Sequence, residues 1–115
     1  MDDTQYKHLC AQPSVMRRSE ILATSRLIRP THPALADRVA ALLTSRPVPK
    51  PVGHEGGPEA DHIYLALLPD ELASVTDALG ELEASLDGSA ASAPLLSQIG
   101  TLLGRWNRAE SARAI

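Results

Sequence analysis

The chain has 115 residues, a length that corresponds to one domain with a single core. It contains no Phe, two Tyr and one Trp, so the core must rest on Leu, Ile, Val and close Ala contacts. No apolar run approaches the roughly 18 to 20 residues that span a membrane. The N-terminus lacks the pattern of a secretion signal, and one cysteine excludes an internal disulfide. We therefore expect a soluble, cytoplasmic protein.

The formal net charge of −3 conceals an uneven distribution of charge along the chain. Residues 1–50 contain eight basic and four acidic residues, whereas residues 51–115 contain three basic and ten acidic residues. The simplest interpretation is that the two halves attract each other in the folded chain. The alternative is that the basic half faces an acidic partner, or the acidic half a basic one.

The first 45 residues predict an arm followed by a helical pair. Residues 1–13 are polar and without a helical period, which is typical of a loosely held arm. Residues 14–45 predict two helices, one at about 14–29 with Ser14 as its cap and one at about 33–45 that opens at Pro33. The apolar stripe of the first helix comprises Val15, Met16, Ile21, Leu22, Leu27 and Ile28.

Residues 46–61 contain four prolines and three glycines, which exclude regular structure and predict an exposed loop. Residues 62–86 form a strand–helix unit, with a strand at about 62–68 and a helix at about 70–86. A linker at 87–93 leads to a last helix at about 94–108, and the tail ends at residue 115. The predicted fold is a mainly α, four-helix small domain with one short β-strand.

The single strand raises the question of where its backbone finds hydrogen-bond partners. Because no other segment has a convincing strand pattern, we expect it to pair between chains, either with its own copy in a homodimer or with a target protein. A competing interpretation makes Ile63–Leu68 helical and joins it to the next helix through a kink at Pro69.

Catalytic and metal-binding patterns are weak in this sequence. The residues nearest to a metal-ligand set are His54, Glu55, Glu59, Asp61 and His62. Their spacing in a Gly- and Pro-rich segment does not place ligands on one helical face. The Gly-x-Ser-x-Gly elbow does not occur, and Cys10 has only His8 nearby as a base. We therefore predict no enzyme activity, no cofactor and no metal.

Nucleic-acid binding is the less favoured alternative. Arginines on two helices joined by a short turn resemble the outline of a helix-turn-helix. The second helix, however, offers Arg38 as its only internal basic residue, and a recognition helix needs several polar side chains.

The sequence thus favours a small non-catalytic protein that binds another protein, as an inhibitor, an immunity-type partner or an adaptor of bacterial or phage-like character. Its support is the absence of a reactive constellation together with the charge asymmetry. The candidate partner-binding residues are Arg17, Arg18, Arg26, Arg29, Ile63, Leu65, Leu67 and Trp106.

Overall fold

The computed structural model describes residues 3–45, 48 and 62–113. These residues form five α-helices and a two-stranded antiparallel sheet, which confirms the mainly α fold. The elements are α1 (Asp3–Cys10), β1 (Val15–Arg17), α2 (Arg18–Ile28), α3 (Pro33–Ala40), β2 (His62–Tyr64), α4 (Pro69–Ser85) and α5 (Ala93–Arg113), with a 3₁₀ turn at Ala41–Thr44. Except for Val48, the predicted loop at 46–61 lies outside the described residues.

The sheet corrects two expectations from the sequence. β1 occupies the segment that was expected to begin the first helix, and it pairs with β2 so that Met16 lies opposite Ile63. Both side chains are buried in the main core, and their burial stabilises the pairing. The strand at 62–64 therefore has a partner within its own chain, and the fold has two strands rather than one.

The outer edge of β2 and the residues that follow it are also engaged within the chain. The Val48 N–H donates to the His62 carbonyl at 2.6 Å, on the side of β2 away from β1. The Leu65 N–H donates to the Ser14 carbonyl at 2.8 Å and prolongs the contact with the β1 segment. The prediction that this strand pairs between chains rested on the lack of an internal partner, and that premise is wrong.

Helix α1 covers the other face of the sheet. Its Tyr6 is buried with Val15 and Val48 in a small cluster separate from the main core. The Tyr6 ring meets the His62 ring edge-on, with centroids 6.2 Å apart. The segment expected to be a loosely held arm is therefore helical at residues 3–10 and is anchored by one aromatic side chain.

The main core lies between the α2–α3 pair and the α4–α5 pair. Helix α4 contributes the apolar face that its spacing predicts, including Leu72, Val75 and Leu79. Helix α5 continues to Arg113, beyond the predicted end at 108, and its Ala109 is buried. The extra turn is held by the burial of Ala109 and by a hydrogen bond from the Thr76 hydroxyl of α4 to the Glu110 carboxylate at 3.0 Å.

The N-terminus of α4 lacks a capping side chain at Leu68, and Glu71 compensates for it. A carboxylate oxygen of Glu71 accepts from the Leu68 N–H at 2.8 Å. Arg38 of α3 donates to the same carboxylate at 2.7 and 3.3 Å and to the Ala66 carbonyl at 2.9 Å. Two hydrogen bonds lower the pKa of Glu71 below its ordinary value: the one from Arg38 has the larger effect, and the one from the Leu68 N–H the smaller.

This lowered pKa predicts an acid-sensitive contribution to stability. A carboxyl group whose pKa is lower in the folded state stabilises the fold above its unfolded pKa, and the contribution is lost as the pH falls through the folded pKa. We expect Glu71→Gln to be less stable than the wild type near neutral pH, and the difference to shrink below about pH 4. Urea unfolding of both proteins at neutral and acidic pH measures this difference in unfolding free energy. A difference that does not change with pH would contradict the prediction.

Candidate functional site

The structure separates the eight predicted partner-binding residues into two groups. Ile63, Leu65, Leu67 and Trp106 are at most 2% exposed, so these side chains belong to the core and not to a surface. The sequence could not distinguish an apolar interface from an apolar core, because both have the same pattern. The four arginines at 17, 18, 26 and 29 are exposed and lie on or beside α2.

The outer face of α2 carries arginines on either side of an exposed leucine. Arg18, Leu22 and Arg26 follow one another at intervals of four, which places them in one row along the helix. Leu22 is 36% exposed and is one of three large apolar side chains with substantial exposure among the described residues. We call Arg18, Leu22 and Arg26 the Arg–Leu–Arg row.

The charges of this face are largely unneutralised. Arg17 and Arg26 form no side-chain hydrogen bond or ion pair with the part of the chain that the structure describes. Arg18 donates to the Leu43 carbonyl at 3.0 Å, which leaves its charge uncompensated. Arg29 is different, because it donates to Asp37 at 2.7 Å. Arg17, Arg18 and Arg26 are thus exposed and pair with no carboxylate of the described residues.

Glu20, the one acidic residue of α2, does not neutralise the arginines of the Arg–Leu–Arg row. Glu20 accepts two hydrogen bonds from Arg105 of α5, both at 2.9 Å, in a bidentate pair. The same pairing raises the pKa of Arg105, although partial burial opposes the shift. The carboxylate of Glu20 is thus directed toward α5 and away from the Arg–Leu–Arg row.

The inner face of α2 is fixed by polar contacts as well as by apolar packing. The Trp106 Nε1–H donates to the Thr24 hydroxyl at 2.9 Å, and this hydroxyl donates to the Glu20 carbonyl at 2.8 Å. The Ser25 hydroxyl donates to the Ala36 carbonyl of α3 at 2.9 Å. No buried side-chain nitrogen or oxygen within the described residues lacks a partner. The inner face of α2 is therefore anchored to α3 and α5 by satisfied hydrogen bonds as well as by apolar contacts.

Leu22 lies off the buried face of α2. The apolar stripe predicted from the sequence included Ile21, Leu22 and Ile28, whereas the structure buries Ile21, Thr24, Ser25 and Ile28. These four positions have the spacing of one helical face, and Leu22, one residue after Ile21, is turned about 100° away from Ile21 around the helix axis. The two hydroxyls on the buried face are satisfied by Trp106, Glu20 and Ala36, so polar side chains can occupy it.

Two of the arginines oppose the local preferences of a helix. Arg17 is the residue before α2, with extended backbone and no capping hydrogen bond from its side chain, and Arg18 is the first helical residue. A helix N-terminus favours Ser, Thr, Asp or Asn as its cap and negative rather than positive charge in its first turn. Arg18 has a structural contact in its hydrogen bond to the Leu43 carbonyl, whereas the local helix preferences give no stability reason for Arg17, and such departures are expected at functional surfaces.

Arg17→Asp tests whether Arg17 lowers the unfolding free energy of the protein. The carboxylate would cap a free N–H group and replace an unfavourable charge, so we expect a gain of about 0.5–2 kcal/mol in unfolding free energy. Thermal and urea unfolding would measure the gain, with Arg108→Asp, an exposed change on another helix, as the control. Equal or lower stability of Arg17→Asp would show that Arg17 supports the fold.

The α2–α3 pair lacks the features of a DNA-reading helix-turn-helix. The second helix, α3, has Arg38 as its only basic residue, and Glu71 and Ala66 engage that side chain. Its Asp37 binds Arg29. Among the described residues, the ion pair Arg38–Glu71 joins a basic residue of the first half to an acidic residue of the second, and His32–Glu81, at 3.3 Å, does the same when His32 is protonated. Arg105–Glu20 has the opposite arrangement, with the acidic residue in the first half.

Other kinds of site find little support in the described part of the chain. No group of three His, Cys, Asp or Glu residues there is arranged to hold a metal ion, and the predicted set lies, except for His62, outside the described residues. Among those same residues, none of the helices combines the length and apolar character needed to cross a membrane. No family model, curated protein or solved structure matches this chain.

Proposed function

We propose that this chain is a non-catalytic protein that binds a partner protein through the outer face of α2. The observation that carries the proposal is the exposure of Leu22 between two arginines that pair with no acidic side chain of residues 3–45 or 62–113. The inner face of the same helix is anchored by hydrogen bonds of Thr24 and Ser25, so the backbone positions of the row have a defined orientation relative to the core. A partner that docks on this helix does not have to order its backbone first.

The mixed chemistry of the row favours a protein partner over a nucleic acid. Protein interfaces combine an apolar centre, which becomes fully desolvated, with a surrounding rim of polar groups, and they are enriched in arginine. Phosphates would use Arg18 and Arg26 but would leave Leu22 without a role. The alternative, a nucleic-acid-binding regulator that uses the same arginines, is retained as an outcome of the test.

The test is affinity capture from a lysate of the encoding organism with matched variants. Arg26→Glu and Leu22→Ser each alter one property of the row, whereas Arg108→Glu makes the same charge change on α5, where Arg108 is exposed. We expect one protein to be retained by the wild type and by Arg108→Glu and to be lost with both α2 variants. Circular dichroism of each variant verifies that the helices are intact.

Two results would contradict the proposal. In the first, all the variants retain the same proteins, which would mean that the α2 face is not the interface. In the second, the wild type retains duplex DNA or RNA with an affinity that falls by about one logarithmic unit per phosphate contact for each tenfold rise in salt. That result would establish the nucleic-acid alternative.

A further inference from the structure

We infer that the partner presents two carboxylates, one on either side of an apolar socket, to the Arg–Leu–Arg row. This inference rests on the proposed function and specifies the chemistry of the partner at the same site. It follows from the charge, the spacing and the central side chain of the row.

The helix sets the spacing of the backbone positions in the row. Residues of an α-helix advance by about 1.5 Å each, so the Cα atoms of Arg18 and Arg26 are separated by about 12 Å along the axis and that of Leu22 lies midway. A partner helix lying along α2 meets this spacing when its acidic residues are seven or eight positions apart. A socket for Leu22 then falls midway between them.

The charges favour carboxylates as the contacting groups. Within the described residues no acidic side chain pairs with Arg18 or Arg26, while Glu20 and Asp37 are already engaged with Arg105 and Arg29. An arginine that is desolvated at an interface needs a charged acceptor, because an unpaired buried charge is costly. Carboxylates suit guanidinium groups because they accept two parallel hydrogen bonds.

A second copy of this chain would supply the two carboxylates but not the apolar socket for Leu22. The outer face of α4 carries Asp70 and Asp77 seven positions apart, with the exposed Ser74 between them. A hydroxyl at the midpoint offers Leu22 a polar contact instead of an apolar socket. The observations therefore favour a different protein, and self-association becomes an outcome of the test.

The experiment uses three conformationally locked helical peptides as probes. Each has two acidic or basic positions eight residues apart: the first carries Glu with Leu midway, the second Glu with Ser midway, and the third Lys with Leu midway. Fluorescence anisotropy at low salt measures binding to the wild type, to Arg26→Glu and to the control Arg108→Glu. We expect the first peptide to bind roughly tenfold tighter than the second or third, and Arg26→Glu, but not Arg108→Glu, to remove that advantage.

The possible outcomes separate the inference from the proposed function. Equal affinity for the Glu and Lys peptides would overturn the inference, and the proposed function would stand if capture from the lysate still depended on Arg26 and Leu22. Loss of that dependence would overturn both. Sedimentation velocity gives the remaining outcome: self-association that Arg26→Glu and Asp77→Lys both abolish would assign the row to a second copy and contradict a foreign acidic partner.

Discussion

Trp106→Ala is expected to lower the free energy of unfolding by about 3–5 kcal/mol. Trp106 is 0% exposed and is the largest side chain in the core, where it lies among residues of α2, α4 and α5. Its removal leaves a cavity and also removes the Nε1–H donor to the Thr24 hydroxyl. A loss of this size is a large fraction of the stability of a domain of this length.

Trp106→Phe is the matched variant, because it retains an aromatic ring but not the donor. It should cost clearly less than the alanine variant, since the Thr24 hydroxyl still donates to the Glu20 carbonyl. Urea unfolding followed by circular dichroism measures both, because the tryptophan fluorescence signal is lost. A cost below about 1 kcal/mol for Trp106→Ala would mean that the core tolerates its absence and that the packing described for α5 is wrong.

Leu79→Ala is expected to cost about 2–5 kcal/mol. Leu79 is 0% exposed in the middle of α4, and alanine preserves helix propensity, so the loss reports burial and the cavity rather than the backbone. Leu22→Ala makes the same chemical change at a 36% exposed position of α2 and should cost clearly less than Leu79→Ala, because part of the Leu22 side chain is already in water and no cavity is left.

The two leucine variants should also differ in their effect on binding. Leu22→Ala should weaken capture of the partner with the fold unchanged, whereas Leu79→Ala should affect capture only through loss of the folded state. Urea unfolding and capture performed on the same samples test this. Equal stability losses for both variants would show that Leu22 is buried and would remove the basis of the proposed surface.

Local signals predicted the helices well. Pro33 and Pro69 mark the starts of α3 and α4, where a missing N–H has no cost, and the apolar spacing that includes Leu79 identified the buried face of α4. These features depend on a few neighbouring residues. A pattern of this kind can therefore be read directly from the chain.

The sheet could not be predicted in the same way. The adjacent apolar residues Val15 and Met16 follow Ser14, and locally they are as compatible with the first turn of a capped helix as with a strand. They are strand residues because Ile63 lies opposite Met16, and that pairing joins segments far apart in sequence. The helix at residues 3–10 was not predicted for a similar reason: its Tyr6 packs against Val15 and Val48, and the sequence around Tyr6 does not show these contacts.

Of the proposed Arg–Leu–Arg row, the sequence analysis named Arg18 and Arg26 as candidate partner-binding residues but did not name Leu22. Charge counting identified Arg18 and Arg26, because exposed arginines remain exposed in almost any fold. The exposure of Leu22 depended on which face of α2 is buried, and that face includes Thr24 and Ser25, whose partners Trp106 and Ala36 are distant in sequence. The seven-residue spacing of Ile21 and Ile28, with Thr24 and Ser25 between them, is the sequence signal that could have indicated this face.

The central claim is that a partner protein docks on the outer face of α2, and photo-cross-linking tests it most directly. A photoreactive amino acid placed at Leu22 would be compared with the same amino acid at Ser74 on α4 and at Thr101 on α5, both exposed. We predict a protein adduct from position 22 in lysate of the encoding organism and none from the other two positions. An adduct from position 74 or 101 alone, or an adduct of position 22 with nucleic acid, would contradict the account.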